Sequence, residues 1–270
     1  MADYLRLRQI CLVARELEPV IADMRAILGL EVCYRDSGVA KYGLVNALLP
    51  IGTSFLEVVA PVEPNTAAGR FLDRSGGHGG YMAIFDCSDP ERRRRHAEAL
   101  GIRIANVIEY AEYLGVQLHP RDCRAAVIEL NHTRGGDDLA GAYHPAGPDW
   151  RAAVRADQAR ALLETEIETP EPEALARHWG NILELPVRKG ERDPTIALGH
   201  GGVIRFVAAP DGSTECLGGL RIEVADAERA CEAAAARGYK VEGNSLHLAG
   251  VHFRLQPARA NLRSNIGPSS

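Results

Sequence analysis

The sequence predicts an α+β fold of four tandem βαβββ modules, on three observations. The order strand, helix, three strands comes round four times along 270 residues. Hydrophobic residues make up 46% and charged residues 25%, enough apolar surface to bury a core in one large domain or two modest ones. A stretch rich in Gly, Pro and Asp, TRGGDDLAGAYHPAGPDW, interrupts the order after two rounds and divides the modules into two pairs.

In the first module LRLRQICLVA (5–14) reads as a strand. Leu17, Val20, Ile21, Met24, Ile27 and Leu28 then fall at helical spacing, and Gly29 supplies a helix stop. Apolar stretches at 30–34, 43–49 and 54–60 follow, the last closed by Pro61. The glycines of SGGHGG (75–80) permit the crossover to the second module. There YMAIFDC (81–87) is a strand, Asp89-Pro90 opens a charged helix over 90–101, and strands follow at 102–110, 113–120 and 123–130. The third module has a strand at 162–170, a helix at 171–185, short strands at 186–188 and 194–198, and a longer one at 201–210. The fourth runs from GLRIEVAD (219–226) through an Ala-rich helix (227–238) to YKVEG, SLHLA and VHFRLQP. This organisation predicts an N-terminal domain over 1–135, a linker or helix over 136–160, a C-terminal domain over 161–257 and a flexible tail over 258–270.

Composition removes several function classes. A net charge of -5 argues against a nucleic-acid partner, and the run Arg92–Arg95 reads as a solvated helix face. No apolar run reaches the roughly 18–20 residues a membrane helix needs, and the first residues lack a signal-peptide pattern. Six cysteines are spread out with no CxxC pair, which suits a reducing cytoplasm and removes the common zinc-finger layouts. No Gly-x-Ser-x-Gly elbow is present, and SGGHGG neither follows GxGxxG nor sits between a strand and a helix. The expected protein is cytoplasmic and binds a small molecule.

Two glutamates stand inside apolar strands: Glu57 in SFLEVVA and Glu129 in AAVIEL. A strand alternates faces, so each points either to solvent or inward, and only the inward case is chemically informative. Facing inward they would form a metal-holding pair or an acid–base pair with separated pKa values, suited to proton removal beside a carbonyl. His119, just before the turn PRDC, reads either as a turn residue with a satisfied ring or as a general base beside Glu129. His132 and His78 are weaker candidates; His144, His200, His247 and His252 read as structural or exposed.

The module order, with LGLEV, FLEVVAP and LHPRDCRAAVIEL, resembles the vicinal oxygen chelate superfamily of glyoxalases, methylmalonyl-CoA epimerases, extradiol dioxygenases and bleomycin-resistance proteins. The resemblance covers residues 5–257 and implies that modules pair into two curved mixed-sheet cups. It implies a divalent ion (Zn, Ni, Co, Mn or Fe) held by residues of the first and last strands of each module. Carried over, it places Gln9, Glu57 and Glu129 as metal ligands, with Glu57, Glu129 and His119 in catalytic roles. The fourth ligand position, usually His, falls on Met82 when counted from the helix starts and on Tyr81 when counted from the last strands. Neither is a usual ligand for a hard cation. Tyr81, Met82 and His132 are therefore expected at the substrate, with Tyr81 able to donate a hydrogen bond to a substrate oxygen. In the second pair the corresponding positions are Glu164, Phe206, Gly219 and Arg254, which cannot form a cation site.

The resemblance implies a glyoxalase-like enzyme acting on a small oxygenated metabolite, a lyase or isomerase working through a metal-polarised carbonyl and an enolate. The alternative is a metal-free small-molecule binding protein of the bleomycin-resistance type. An extradiol dioxygenase is a weaker fit, because no His occupies an aligned position. One chain supplies all four modules, which suits a monomer or a homodimer.

Overall fold

In the computed structural model residues 3–210 and 213–258 are described. The tail expected over 258–270 lies, from 259 onward, outside the described residues.

The first sheet is built from β1 (Leu5–Val13), β2 (Leu44–Ile51), β3 (Ser54–Pro61), β4 (Gly80–Cys87), β5 (Ile104–Tyr110), β6 (Tyr113–Leu118) and β7 (Val127–Thr133). Its order is β2-β3-β1-β4-β7-β6-β5. The first strands of the two modules, β1 and β4, pair antiparallel at its centre, and each pairs in parallel with its own last strand, β3 or β7. The second sheet uses β8 (Ala159–Thr169), β9 (Val187–Lys189), β10 (Pro194–Ala197), β11 (Val203–Ala208), β12 (Cys216–Val224), β13 (Val241–Glu242), β14 (Ser245–Leu248) and β15 (Val251–Pro257). Its order, β13-β14-β15-β12-β8-β11-β10-β9, repeats the arrangement with β8 and β12 antiparallel at the centre. The fold is that of paired βαβββ modules, the vicinal oxygen chelate architecture, with one strand fewer in the first module.

Helices α1 (Leu17–Leu28), α3 (Pro90–Ala99), α5 (Pro172–Leu183) and α6 (Ala227–Ala236) follow the first strand of each module. Helix α1 buries Leu17, Ile21, Met24, Ile27 and Leu28 and stops at Gly29, whose φ of 67° is readily reached without a Cβ. Asp89 and Asp226 cap α3 and α6 by accepting from the backbone N–H three residues on, as the sequence order Asp-before-helix requires. One apolar core, running from Leu5 to Leu255, joins one face of each sheet to these helices.

Four local expectations change. The apolar stretch 30–34 forms no strand; it keeps only a bridge between Tyr34 and Leu48. A helix absent from the sequence reading, α2 (Ala67–Arg74), is capped by Thr66, whose hydroxyl accepts from Gly69 N–H. The stretch expected to start β7 at Cys123 begins instead with a single helical turn, α4 (Pro120–Cys123), because Pro120 fits a first helical position. The run Arg92–Arg95 is not wholly solvated. Arg93 is buried and donates to the Leu183 carbonyl at the end of α5, while Arg92 pairs with Glu184 at 2.8 Å. A helix end with unpaired carbonyls attracts cations, so this run docks the second module on the third.

The SGGHGG loop does more than turn the chain. Gly76 and Gly77 take positive φ, but Gly79 and Gly80 are pressed against the other half of the molecule. A Cβ on Gly80 would stand 1.9 Å from the Leu217 carbonyl oxygen of β12. Up to the start of β8 at Ala159, the 136–160 segment contains only short 3-10 turns, at His144–Ala146 and Trp150–Ala153, and it packs on the first sheet.

Candidate functional site

The concave face of the first sheet encloses a cavity of about 490 Å³. That is within the roughly 300–1,000 Å³ of small-molecule sites. Alternation along each strand decides what faces it. On β1 Gln9 and Cys11 point into the cavity while Ile10 and Leu12 join the core; on β3 Glu57 and Val59 point in while Leu56 and Val58 point away. On β7 Val127 and Glu129 line it and Ile128 and Leu130 do not. Gln9, Glu57, Tyr81, Met82 and Glu129 are thus brought together in one hollow.

The register gives the counterpart of Gln9 in the second module. Cys11 pairs with Glu57 across β1 and β3, and Ile84 pairs with Glu129 across β4 and β7. Gln9 lies two residues before Cys11, so its counterpart is the residue two before Ile84, which is Met82. Tyr81 also borders the cavity, its ring tilted against Phe71 at 5.0 Å.

Each glutamate is held by neutral donors. Glu57 accepts from Gln9 Nε2 at 2.8 Å and from Asn46 Nδ2 at 2.7 Å. Glu129 accepts from the Tyr113 hydroxyl at 2.7 Å, Gln117 Nε2 at 2.8 Å and Asn131 Nδ2 at 3.2 Å. Gln9 Oε1 in turn accepts from the Tyr143 hydroxyl at 2.9 Å. Burial raises the Glu57 carboxyl above the ordinary range, and the charge of Glu129 adds to the rise; hydrogen bonds from Asn46, Cys11 and Gln9 oppose it. Burial also pushes up the Cys11 thiol and the Tyr113 and Tyr143 hydroxyls, and holds Tyr81 at about 12, so all four stay protonated at neutral pH.

A resident divalent ion does not fit this donor set. Such an ion needs lone pairs, yet Gln9 turns an N–H toward Glu57 and gives its oxygen to Tyr143. The fourth position offers a thioether, and among the described residues no three His, Cys, Asp or Glu side chains gather as ligands.

The two histidines singled out from sequence do not reach the cavity. His119 caps α4, its Nδ1 accepting from Arg121 N–H at 3.3 Å, and stands beside Arg103. His132 lies on the opposite face of β7, where its Nδ1 meets the Tyr4 hydroxyl at 3.3 Å beside Asp86 and Arg6. His78 meets Cys216 at 4.0 Å and does not border the cavity either. Conversely His144, read as structural or exposed, forms part of the cavity wall, stacked on Tyr113 at 4.9 Å.

The residues that sequence reasoning missed are Asn46, Tyr113, Gln117, Asn131 and Tyr143. Three had a signal. Asn46 shares a hairpin face with Glu57, and Tyr113 and Gln117 alternate on the strand that pairs with Glu129. Tyr143 had none, because it comes from the linker.

The second sheet carries ion pairs where the first carries its site. Glu164 pairs with Arg205 at 2.8 Å and Arg221 at 2.7 Å, and Glu166 pairs with Arg254. Phe206, expected at a cup position, is buried in the core, its edge toward Trp179 at 5.8 Å.

Fold and site together define a small-molecule cup protein of the paired βαβββ kind. A family model, the glyoxalase-like domain, matches residues 10–183, and the chain belongs to that family. Among curated proteins, none matches it by sequence. A hypothetical protein from Staphylococcus aureus is similar in fold over 94% of this chain and 99% of its own, at a TM-score of 0.65 and 11% identity. A mutant of 4-hydroxymandelate synthase from Streptomyces coelicolor is similar over 90% of this chain and 78% of its own, at 0.64 and 12%. Methylmalonyl-CoA epimerase from Streptomyces coelicolor matches 48% of this chain and 98% of its own, at 0.44 and 22%. These likenesses concern the fold.

Proposed function

We propose that the chain is a glyoxalase-like enzyme that moves a proton on a small oxygenated metabolite, a lyase or isomerase whose cup works without a resident metal. The observation that carries this is Glu57: a buried carboxyl, raised above its ordinary range, lining a cavity with a second carboxyl. A carboxylate whose proton affinity is raised toward the working pH is a stronger general base and returns the proton as an acid. Glu57 takes the proton from carbon next to the substrate carbonyl; the C–H electron pair moves into the carbonyl and leaves an enolate. Tyr81, protonated and at the cavity, donates a hydrogen bond to that oxygen. The proton on Glu57 then goes back to carbon, at a new position or face, or to a leaving group. Glu129, fixed by three donors, orients the substrate. His119 and His132 take no part.

No helix among the described residues is long and apolar enough to cross a membrane. All six cysteines are free thiols, which fits a reducing, cytoplasmic setting. One chain encloses the whole cup, so the proposal needs no second subunit.

The test is solvent exchange: a panel of carbonyl compounds with acidic C–H groups, incubated in D2O with protein treated with a chelator and followed by proton NMR. Loss of the C–H signal with wild type, abolished in Glu57→Gln, is the expected result. Exchange that persists in both Glu57→Gln and Glu129→Gln, or that requires added divalent metal, overturns it. A second reading, a metal-free binding protein, is favoured by the donors already committed to both carboxylates. It predicts ligand binding with no exchange.

A further inference from the structure

The cup is unusual in its charge. The side chains bordering it include three carboxylates, Asp36, Glu57 and Glu129, and one cationic side chain, Lys41. Lys41 sits at the mouth, its ammonium 5.0 Å from the centre of the Tyr42 ring, and among the described residues no arginine borders the cavity. Both buried glutamates are held only by neutral amides, hydroxyls and a thiol. Gln9, Asn46, Tyr113, Gln117 and Asn131 each spend one N–H or O–H on them. A carboxylate has about four acceptor positions, so each glutamate keeps at least one unused. The floor therefore offers acceptors and negative charge and, among the described residues, no cationic side chain to balance an anion; Tyr81 is left as a neutral donor for one oxygen.

The walls are complementary to an apolar or cationic body. Tyr42, Tyr110, Tyr113 and His144 border the cavity, with the His144 ring 4.9 Å from Tyr113 and 5.0 Å from Tyr110. Aromatic faces attract cations and bury hydrocarbon equally well. A buried carboxylate with no charged partner is costly, and an incoming cation removes that cost. A divalent metal needs the amide oxygens, which point elsewhere. An ammonium group needs only acceptors.

We infer that the cup takes a small organic amine: a protonated primary ammonium donating to Glu129 beside Glu57, its apolar body against the tyrosine wall. This deepens the proposed function and rests on it for the cup being the substrate site. The substrate would then be an amino-bearing carbonyl compound, its ammonium at Glu129 and its acidic carbon at Glu57, and not one with a carboxylate or phosphate at the reacting end.

The test compares matched probes: 2-phenylethylamine, 2-phenylethanol and 3-phenylpropionate. Binding to the full chain at pH 7 is followed through the side-chain amide resonances of Gln9, Asn46 and Gln117. The amine is expected to bind at least about tenfold tighter than the alcohol, as a charge-assisted pair does, with the carboxylate weakest. That preference should vanish in Glu129→Gln. Equal affinity for the alcohol, tighter binding of the carboxylate, or no shift with any probe overturns the inference. So does an amine preference that survives Glu129→Gln, or micromolar Mn2+ alone broadening the same resonances. The wild-type ranking decides the matter even where a variant does not fold. A cup filled by the alcohol or the carboxylate overturns the ligand class while the proton-transfer reading stands. An amine that binds here, with no C–H exchange in any carbonyl compound, sinks the proton-transfer reading and leaves this one.

Discussion

Tyr143 tests how the site is held. It comes from the segment between the two sheets, is 2% exposed, and donates to Gln9 Oε1 at 2.9 Å, which in turn fixes the donor on Glu57. Its ring stacks on Phe55 at 4.9 Å and 15°, under the Arg8 guanidinium at 5.2 Å. Tyr143→Phe keeps the ring and removes the hydroxyl. It leaves a buried Gln9 oxygen without a donor, at a cost of about 1–3 kcal/mol. Tyr143→Ala also empties the aromatic cluster, which costs about 3–5 kcal/mol for a large ring and about 1 kcal/mol more for the lost stacking. The expected losses are therefore about 2 kcal/mol for the Phe variant and, with the ring terms added, about 6–8 kcal/mol for the Ala variant. Urea unfolding with an unchanged slope measures both, and the Gln9 amide resonances should move in the Phe variant. A Phe variant within a few tenths of wild type, or an Ala variant no worse than the Phe variant, would refute the reasoning.

Two further outcomes are expected. Because burial raises the Glu57 carboxyl, the folded chain binds that proton more tightly than the unfolded chain does. Glu57 therefore subtracts from stability as pH rises from the ordinary carboxylate range through its folded value, and is level beyond. Glu57→Gln removes that slope, so the difference between variant and wild type should shift in the variant's favour across the window; parallel curves from pH 4 upward would count against a raised Glu57. Gly80→Ala sets a methyl against the Leu217 carbonyl and should cost more than about 3 kcal/mol. Gly76→Ala, with open space but a φ of 65°, should cost about 1 kcal/mol; equal melting temperatures for the two would contradict the close approach of β4 and β12.

Local chemistry made most of the fold legible. The helix spacing of Leu17 to Leu28, the Asp89 and Asp226 starts, and the return of strand, helix and strands are written in neighbouring residues, and the elements formed there. Glu57 and Glu129 were also legible as charged residues inside apolar strands, because alternation leaves such a residue only two faces. Choosing between those faces was not local: it required β1 and β4 to pair centrally, which turned both glutamates into one hollow. Residues that share a face with a glutamate on the neighbouring strand, as Asn46 does with Glu57 and Gln117 with Glu129, lie between these cases.

The sequence by itself determined the four-module order, the helix boundaries and the two carboxylates, since these follow from periodicity and capping over spans of a dozen residues. Only the tertiary structure decided that Tyr143 braces Gln9, that Arg93 seats on the end of α5, that His119 and His132 face away and that His144 faces in. Each of these depends on partners far apart in the chain, and no local pattern encodes which distant surface a side chain will meet.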